Sequence, residues 1–349
     1  MNAGFLRKGY HMLRVCEIKQ LTDDAVNIVF NVPEKLKELF NYKPGQHVDI
    51  IINCEGEELG RSYSICSGPG EPLSIGVKTV LNGRVSHWLN MSLKEGDQIA
   101  VSEPRGSFVL STEANNIVLI GAGSGITPLL SMYKSGISSA IQVTLIYGNS
   151  KSSSIMFSEE INNIKGGRVI KYLSREEKEG FISGRINSDN LSALVQKEPN
   201  LLNADAYYLC GPEEMIASAR SFLQNAKVSA DKIFFELFTA PVKKVESQPN
   251  LNTRYTGKCH LKINLEGDKY QLEVETESTS ILDVALKAGI DAPYSCKAGV
   301  CGSCRAKVLE GHAIIKNNYA LTQQELDDGY VLTCQALPSA EMLYLSYDD

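Results

Sequence analysis

The sequence predicts a multidomain chain in three parts: an antiparallel β-barrel, an α/β doubly wound parallel sheet, and a small α+β domain. Three observations carry this reading. Over residues 7–111, short β-like runs such as AVNIVFNV, HVDIII, SIGVKTV and QIAVSEP are broken by Pro44-Gly45, Ser67-Gly68-Pro69-Gly70, Asn82-Gly83 and Glu95-Gly96-Asp97. That spacing suits a small antiparallel barrel. Over residues 112–238, apolar strands alternate with helical stretches, which builds a doubly wound sheet. Over residues 258–349, a hairpin, a helix and a cysteine-rich loop follow one another. A length of 349 residues accommodates two or three such domains.

In the first part, one helical stretch, Val85 to Met91, interrupts the strands. Gly83-Arg84-Val85-Ser86 opens it, and about twenty residues earlier stands Arg61-Ser62-Tyr63-Ser64. A guanidinium pairs with phosphate, an aromatic ring stacks on a flat cofactor, and a hydroxyl bonds ring nitrogens. A helix N-terminus is a ready site for a pyrophosphate. The plainer alternative makes Arg61 and Arg84 surface residues and Tyr63 core.

The second part opens on Ile117-Val118-Leu119-Ile120, a buried parallel strand by its unbroken apolar run. GAGSGITP follows. Gly121, Gly123 and Gly125 permit a tight turn close to phosphate, Thr127 suits the N-cap of the next helix, and Pro128 its first position. Strands are expected at Gln142–Tyr147, Val169–Ser174 and Ala206–Cys210, and helices at Phe157–Ile164, Asp189–Gln196 and Pro212–Asn225. Cys210-Gly211-Pro212 then lies at a strand's carboxyl end, where ligands bind in such sheets.

Residues 239–257 lack apolar periodicity and carry Pro, Ser, Asn and Lys, so they read as a linker. The third part gives the hairpin HLKINLEGDKYQLEVE, a helix over Ser280–Ala288, the strand AKVLEG, a short helix over Thr322–Asp327, and VLTCQALP. This is a ubiquitin-like β-grasp pattern. Between the first helix and AKVLEG, residues 296–304 read CKAGVCGSC. Cys296, Cys301 and Cys304, with Cys334, have the plant-type spacing of four thiolates around a [2Fe–2S] cluster. Gly299 and Gly302 let the loop backbone come close to it. Zinc is the rival, but four-thiolate zinc sites usually carry two Cys-x2-Cys knuckles, and only one is present. Disulfides fit poorly, because nothing else marks the chain as secreted.

RSYS with GRVS, GAGSGITP and CGP resemble the flavin and nicotinamide signatures of the ferredoxin–NADP reductase superfamily, and the last part resembles a plant-type ferredoxin. The order of parts is similar to reductases that serve phenylacetyl-CoA epoxidase, ring-hydroxylating oxygenases, desaturases or hybrid-cluster proteins, and RSYSICSGPG, LIYGNS and GVKTVLNGRVSHWLN are most similar to the phenylacetyl-CoA group. The resemblance implies FAD, with Arg61 and its neighbour Ser62 at the flavin phosphate, Tyr63 and Ser64 at the isoalloxazine, and Gly83, Arg84, Val85 and Ser86 at the pyrophosphate. It implies that Gly121, Gly123, Ser124, Gly125 and Thr127 hold the nicotinamide dinucleotide, and that Cys210, with Gly211 and Pro212, stands by its ring. Glu236 and Phe238, in FFELF, resemble the Glu-x-Phe that closes the flavin face. Tyr63, Ser64, Cys210 and Glu236 are thus the catalytic candidates. Ser174-Arg175 resembles the pair that grips the 2′-phosphate of NADP, which implies NADPH, with Lys151 as a second positive group. Glu176 and Glu177 are carboxylates that could instead serve the ribose diol of NADH.

The implied activity is electron transfer from NAD(P)H through FAD and the cluster to a protein acceptor, an oxygenase, desaturase or hybrid-cluster protein. A reading of another class is a redox-sensing regulatory subunit that reports cluster state to its partner. The net charge is −6, and residues 258–349 hold 8 basic against 14 acidic side chains, so the cluster segment carries all of it. Nucleic-acid binding wants a basic face and is not expected; an acidic face can steer docking to a basic partner. No run approaches the ~20 apolar residues of a membrane helix. Without a signal-like N-terminus, the nine cysteines point to a reducing cytoplasm.

Overall fold

The structure is a computed structural model that describes residues 9–238 except 55, Tyr255, and residues 257–348 except 277, 278 and 295. Apart from Tyr255 and Gly257, the expected linker lies outside the described residues. The chain divides into two compact units, Met1–Phe238 and Thr239–Asp349.

The first unit begins with six strands: β1 (Tyr10–Thr22), β2 (Ala25–Asn31), β3 (His47–Cys54), β4 (Glu57–Ser64), β5 (Ser74–Lys78) and β6 (Gln98–Ser102). They form one antiparallel sheet in the order β4-β3-β6-β1-β2-β5. The two edges meet just past β4, where Ile65 bridges Ile75 and the Cys66 N–H donates to the Ser74 carbonyl at 3.0 Å. This joins the two ends of the sheet at that point and gives it a barrel-like form, with most of β4 still an edge strand. Inward residues such as Leu13, Ile28, Val48, Ile50 and Val77 are essentially inaccessible. Helix α1 (Arg84–Met91) packs Val85 and Leu89 onto the same core.

Strands β7 (Asn116–Ala122), β8 (Gln142–Asn149), β9 (Arg168–Leu173), β10 (Ile182–Ser183), β11 (Ala206–Cys210) and β12 (Ile233–Glu236) form a second sheet. Every pairing in it is parallel, in the order β10-β9-β8-β7-β11-β12. Helices α2 (Ile126–Ser138), α3 (Ser158–Asn163), α4 (Ser188–Lys197) and α5 (Glu213–Asn225) make the crossovers. Ile117 to Ile120 are each 2% exposed or less, as a strand covered on both faces requires. The chain winds one way from β7 through β8 and β9, and the other way to β11 and β12. The carboxyl ends of β7 and β11 therefore flank the switch point where such sheets bind ligands.

Barrel and parallel sheet share one packed cluster, in which Ala25, Cys66 and Phe108 join Ile117, Leu129 and Tyr133. Polar ties reinforce it. Ser131 donates to the Ser67 carbonyl at 2.7 Å, and Lys134 reaches Glu71 at 2.6 Å and Glu160 at 2.5 Å. Burial alone would lower the Lys134 ammonium, but the two carboxylates raise it on balance.

The second unit contains β13 (Lys258–Leu265), β14 (Asp268–Glu275), α6 (Ile281–Lys287), β15 (Arg305–Glu310), β16 (Ala313–Ile315), α7 (Gln323–Asp327), β17 (Tyr330–Leu332), β18 (Ala336–Pro338) and β19 (Met342–Ser346). Its main sheet runs β14-β13-β19-β15-β17, with the C-terminal β19 inserted parallel to β13. Leu261, Ile281, Leu282, Leu343 and Leu345 build its core.

Candidate functional site

The switch point brings distant residues abreast. Cys210 pairs in register with Gly121 on one side and Glu236 on the other, so the last residues of β11 and β12 flank the start of the glycine turn. Cys210 is fully buried, and burial, with the nearby Glu236 carboxylate, pushes its thiol well up. From the barrel, the Ser64 hydroxyl donates to Glu236 Oε2 at 3.3 Å. Four sequence candidates, one each from β4, β7, β11 and β12, meet here. Phe238, two residues past β12, is 39% exposed.

Two glycines make the turn possible. A Cβ on Gly125 would lie 2.2 Å from the Cys210 carbonyl oxygen, and Gly123 has a φ of +56°. The Tyr147 hydroxyl holds the turn by donating to the Gly123 carbonyl at 3.0 Å. Gly211, at φ +156°, passes close to Ala122, and Pro212 precedes α5. The expectation that Thr127 caps α2 is corrected. Gly123–Gly125 form a 3-10 turn that runs straight into a helix starting at Ile126. Thr127 is thus its second residue and donates to the Ser124 carbonyl at 3.0 Å; Pro128 is its third.

On β4, alternation separates the RSYS motif into two faces. Tyr63 is half-buried opposite Val48, and burial pushes its phenol up. Arg61 is exposed. Ser62 turns the other way and donates to Asp49 at 2.5 Å. Asp49 is inaccessible and lies 3.7 Å from Arg105. Next to it on β3 is His47, directly across from Ser64 and 4% exposed, with its Nε2 buried and unbonded. Burial pushes this imidazole down; Asp49 raises it, and Arg105 lowers it further.

At α1, Ser86 is committed to the loop: it accepts from the Val80 N–H at 3.0 Å and donates to the Gly83 carbonyl at 3.1 Å. Arg84 pairs with Glu57 at 2.6 Å. These contacts fix the turn, and the first-turn N–H groups, which have no intrahelical partner, are what such a terminus offers a phosphate. An exposed guanidinium, a half-exposed phenol ring and a helix N-terminus fit a flavin dinucleotide.

Beside the switch point lies a cleft of about 600 Å³, walled by Gly123, Ser174, Arg175 and Arg185 among others. Glu176 is turned out of play: it accepts from the Ser152 N–H at 2.7 Å and hydroxyl at 2.8 Å, which hold its carboxyl below the usual range. Lys151, the suggested second cation, is exposed and is not part of the cleft wall. Arg185 takes that place and was missed in the sequence. The two-residue β10 sets it beside β9, with the Gly184 N–H donating to the Leu173 carbonyl at 2.8 Å, and so short a strand leaves no periodicity.

In the second unit, the four sequence-predicted thiols come as two pairs. The Cys296 N–H points to Cys301 Sγ at 3.5 Å, and the Ala298 N–H to Cys296 Sγ at 3.3 Å. Cys301, with the backbone N–H groups of Ala298, Val300 and Cys301, pulls Cys296 down against its burial. Cys304 and Cys334 interact directly, which raises the first thiol and lowers the second, as two close groups titrating together must. Among the described residues no three His, Cys, Asp or Glu side chains converge as ligands of a single ion. Two thiol pairs with N–H groups aimed at sulfur suit two bridged irons. The loop glycines have different reasons. Gly299 has φ +78° and a Cβ there would lie 2.9 Å from the Asn317 carbonyl; Gly302 needs only its φ of +72°.

Comparison with known proteins agrees with this geometry. Residues 12–110 match the oxidoreductase FAD-binding domain family, 119–221 the oxidoreductase NAD-binding domain family, and 263–339 the 2Fe-2S iron-sulfur cluster binding domain family. The chain is 34% identical to a component of the 1,2-phenylacetyl-CoA epoxidase of Escherichia coli K12, over 97% of this chain and 98% of that one. It is 31% identical to the ferredoxin reductase component of 3-ketosteroid-9-alpha-monooxygenase from Mycobacterium tuberculosis, over 97% and 96%. In fold it is similar to phthalate dioxygenase reductase, with a TM-score of 0.60 over 97% of this chain and 98% of that one at 22% identity. The chain belongs to the ferredoxin–NADP reductase superfamily, among the reductases that join FAD-binding, NAD-binding and [2Fe–2S]-binding domains.

Proposed function

We propose that this oxidoreductase takes hydride from NADPH and delivers single electrons to the oxygenase component of a monooxygenase. The working divisions are residues 7–111 for flavin, 112–238 for nicotinamide and 258–349 for the cluster, joined by 239–257. When bound, FAD supplies the conversion of a two-electron hydride into single electrons and the [2Fe–2S] cluster carries them singly. The chain's own residues supply placement. Gly121, Gly123 and Gly125 let a dinucleotide reach the switch point, Cys210 walls off water behind the nicotinamide, and Tyr63 covers the flavin ring. The Ser64 hydroxyl and Glu236 carboxylate offer a proton a route at the flavin edge. Cys296, Cys301, Cys304 and Cys334 ligate the cluster.

The observation that carries this reading is the meeting of Ser64 with Glu236, one residue from the flavin strand and one from the strand end beside Cys210. The oxygenase as acceptor is supported by relatives whose names are those of monooxygenase components. NADPH is supported by two guanidiniums in one cleft, Arg175 and Arg185, and by the engagement of Glu176 elsewhere. Four thiols committed to an oxidisable cluster suit a reducing cytoplasm. Among the described residues no helix is long and apolar enough to cross a membrane.

The test mixes the loaded chain, NADPH or NADH, and purified oxygenase components in the absence of oxygen. Rapid reduction of an oxygenase centre, faster with NADPH, is the expected result. Reduction of artificial dyes but of no oxygenase would overturn the acceptor.

A further inference from the structure

The residue after the fourth cysteine is Gln335, and its amide holds three segments of the cluster site together. Its backbone is fixed first: the N–H donates to the Leu332 carbonyl at 2.8 Å, and the carbonyl accepts from the Lys316 N–H at 2.8 Å. From there the side-chain Nε2 donates to the Lys297 carbonyl at 2.9 Å, and Oε1 accepts from Asn317 Nδ2 at 2.9 Å. The amide also lies in hydrogen-bond reach of the neighbouring Cys334 thiol, a contact that a Lys297→Gly background separates from the clasp. Both ends of one amide are used, one on the loop between the first two ligands and one on the segment after β16. That segment lies against the loop itself. The Asn317 carbonyl packs where a Cβ of Gly299 would be, and the Tyr319 N–H donates to the Gly299 carbonyl at 3.0 Å.

Lys297 is where the clasp matters. Its φ is +53°, a left-handed conformation that is strained for a non-glycine residue. That conformation turns the next N–H, of Ala298, onto Cys296 Sγ at 3.3 Å. Without the bond from Gln335 to its carbonyl, Lys297 would relax toward ordinary backbone angles and that N–H would swing off the sulfur. An N–H aimed at a thiolate stabilises the more negative, reduced cluster more than the oxidised one, so such bonds set the potential.

We propose that Gln335 is a positioning residue that raises the reduction potential of the cluster by clasping Lys297 in its left-handed conformation. The inference rests on Cys296, Cys301, Cys304 and Cys334 holding a [2Fe–2S] cluster, which iron and labile sulfide per chain test separately.

The experiment is redox titration of the full-length loaded chain, followed by the electron paramagnetic resonance of its reduced cluster. Gln335→Met keeps the length and removes both polar ends. Its potential is expected to fall by the equivalent of about tenfold in the reduced-to-oxidised ratio, ~59 mV for one electron, with altered g-values. Ferricyanide reduction, which draws on flavin, stays unchanged. In a Lys297→Gly background, where glycine adopts the left-handed angles unaided, the same Gln335→Met change is expected to shift the potential less. A fully loaded Gln335→Met protein at the wild-type potential overturns the proposal, and so does an equal shift in the Lys297→Gly background. If Gln335→Met does not load, Asn317→Ala decides; it frees Gln335 Oε1 and removes the long 3.5 Å contact from the Tyr319 hydroxyl but leaves Nε2 on Lys297. A smaller shift in the same direction supports the clasp, and no shift overturns it.

Discussion

Ser64 closes β4 of the barrel, Glu236 closes β12 of the parallel sheet, and the hydroxyl of the first donates to the carboxylate of the second at 3.3 Å. They are separated by 172 residues of sequence. Neither strand could place the pair alone; the shared core of β7 and the barrel does so, reinforced by Lys134, which clamps Glu71 to Glu160. If the pair handles a proton at the flavin edge, its removal affects turnover more than binding. Ser64→Ala and Glu236→Gln are each expected to lower kcat for ferricyanide reduction about a hundredfold, the low end of general acid–base contributions. FAD content and the KM for NADPH stay near wild type. A rise in KM with unchanged kcat would make the pair a binding feature instead.

The buried imidazole of His47 gives a pH-dependent stability. Its pKa is lowered in the fold, first by burial and then by Arg105 against the opposing pull of Asp49. Below about pH 6.5 the unfolded chain takes up a proton that the folded chain refuses, so stability falls with pH in that window, by up to ~1.4 kcal/mol per pH unit. The lowered carboxyls of Glu176, Asp205 and Glu325 act only at more acid pH. The melting temperature of the flavin-loaded chain is expected to drop between pH 7 and 5, and His47→Phe to flatten that drop. An unchanged slope in the variant would rule out His47 as its source.

Electron flow through the cluster separates by mutation. Cys301→Ser is expected to abolish cluster loading while NADPH-driven ferricyanide reduction persists, because that acceptor takes electrons from flavin. Reduction of cytochrome c or of an oxygenase is lost. Retained oxygenase reduction in a chain without labile sulfide would remove the cluster from the path.

Much of this was legible in the sequence because the signals are local. The Ile117–Ile120 run, the glycine turn and the cysteine loop each fit within a few residues, and the strands and helices of the α/β part fall within a few residues of expectation. What failed depends on partners far away. β4 carries the RSYS motif but has no apolar alternation, since it is an edge strand with Arg61 exposed and Ser62 spent on Asp49. Thr127 before Pro128 looks like a cap, but the turn ahead of it is already helical, so the hydroxyl bonds back to Ser124. Arg185 has no motif at all; only pairing of β10 with β9 brings it to the cleft.

That cleft yields the last prediction, on the choice of nicotinamide. Arg175 is exposed at the end of β9, with its N–H tied to the Ser150 carbonyl at 2.9 Å, so its backbone is set and its side chain is free to reach a ligand. Arg185 stands on the same cleft, 3.6 Å from Glu214, in an ion pair whose two side chains are 69% and 91% exposed. So exposed a pair holds Arg185 weakly, by about 1 kcal/mol at most, and a 2′-phosphate, with its greater charge, displaces Glu214 readily. A charged hydrogen bond contributes ~1.5–3 kcal/mol, so Arg175→Ala is expected to lower kcat/KM for NADPH roughly ten- to a hundredfold. Arg185→Ala lowers it about tenfold, since its reach is shared with Glu214, by the same arithmetic. NADH kinetics barely change in either variant, because the adenosine ribose of NADH carries no phosphate there. Equal losses with both nucleotides would assign the two arginines a structural role, and a wild-type preference for NADH would overturn the assignment of the cleft.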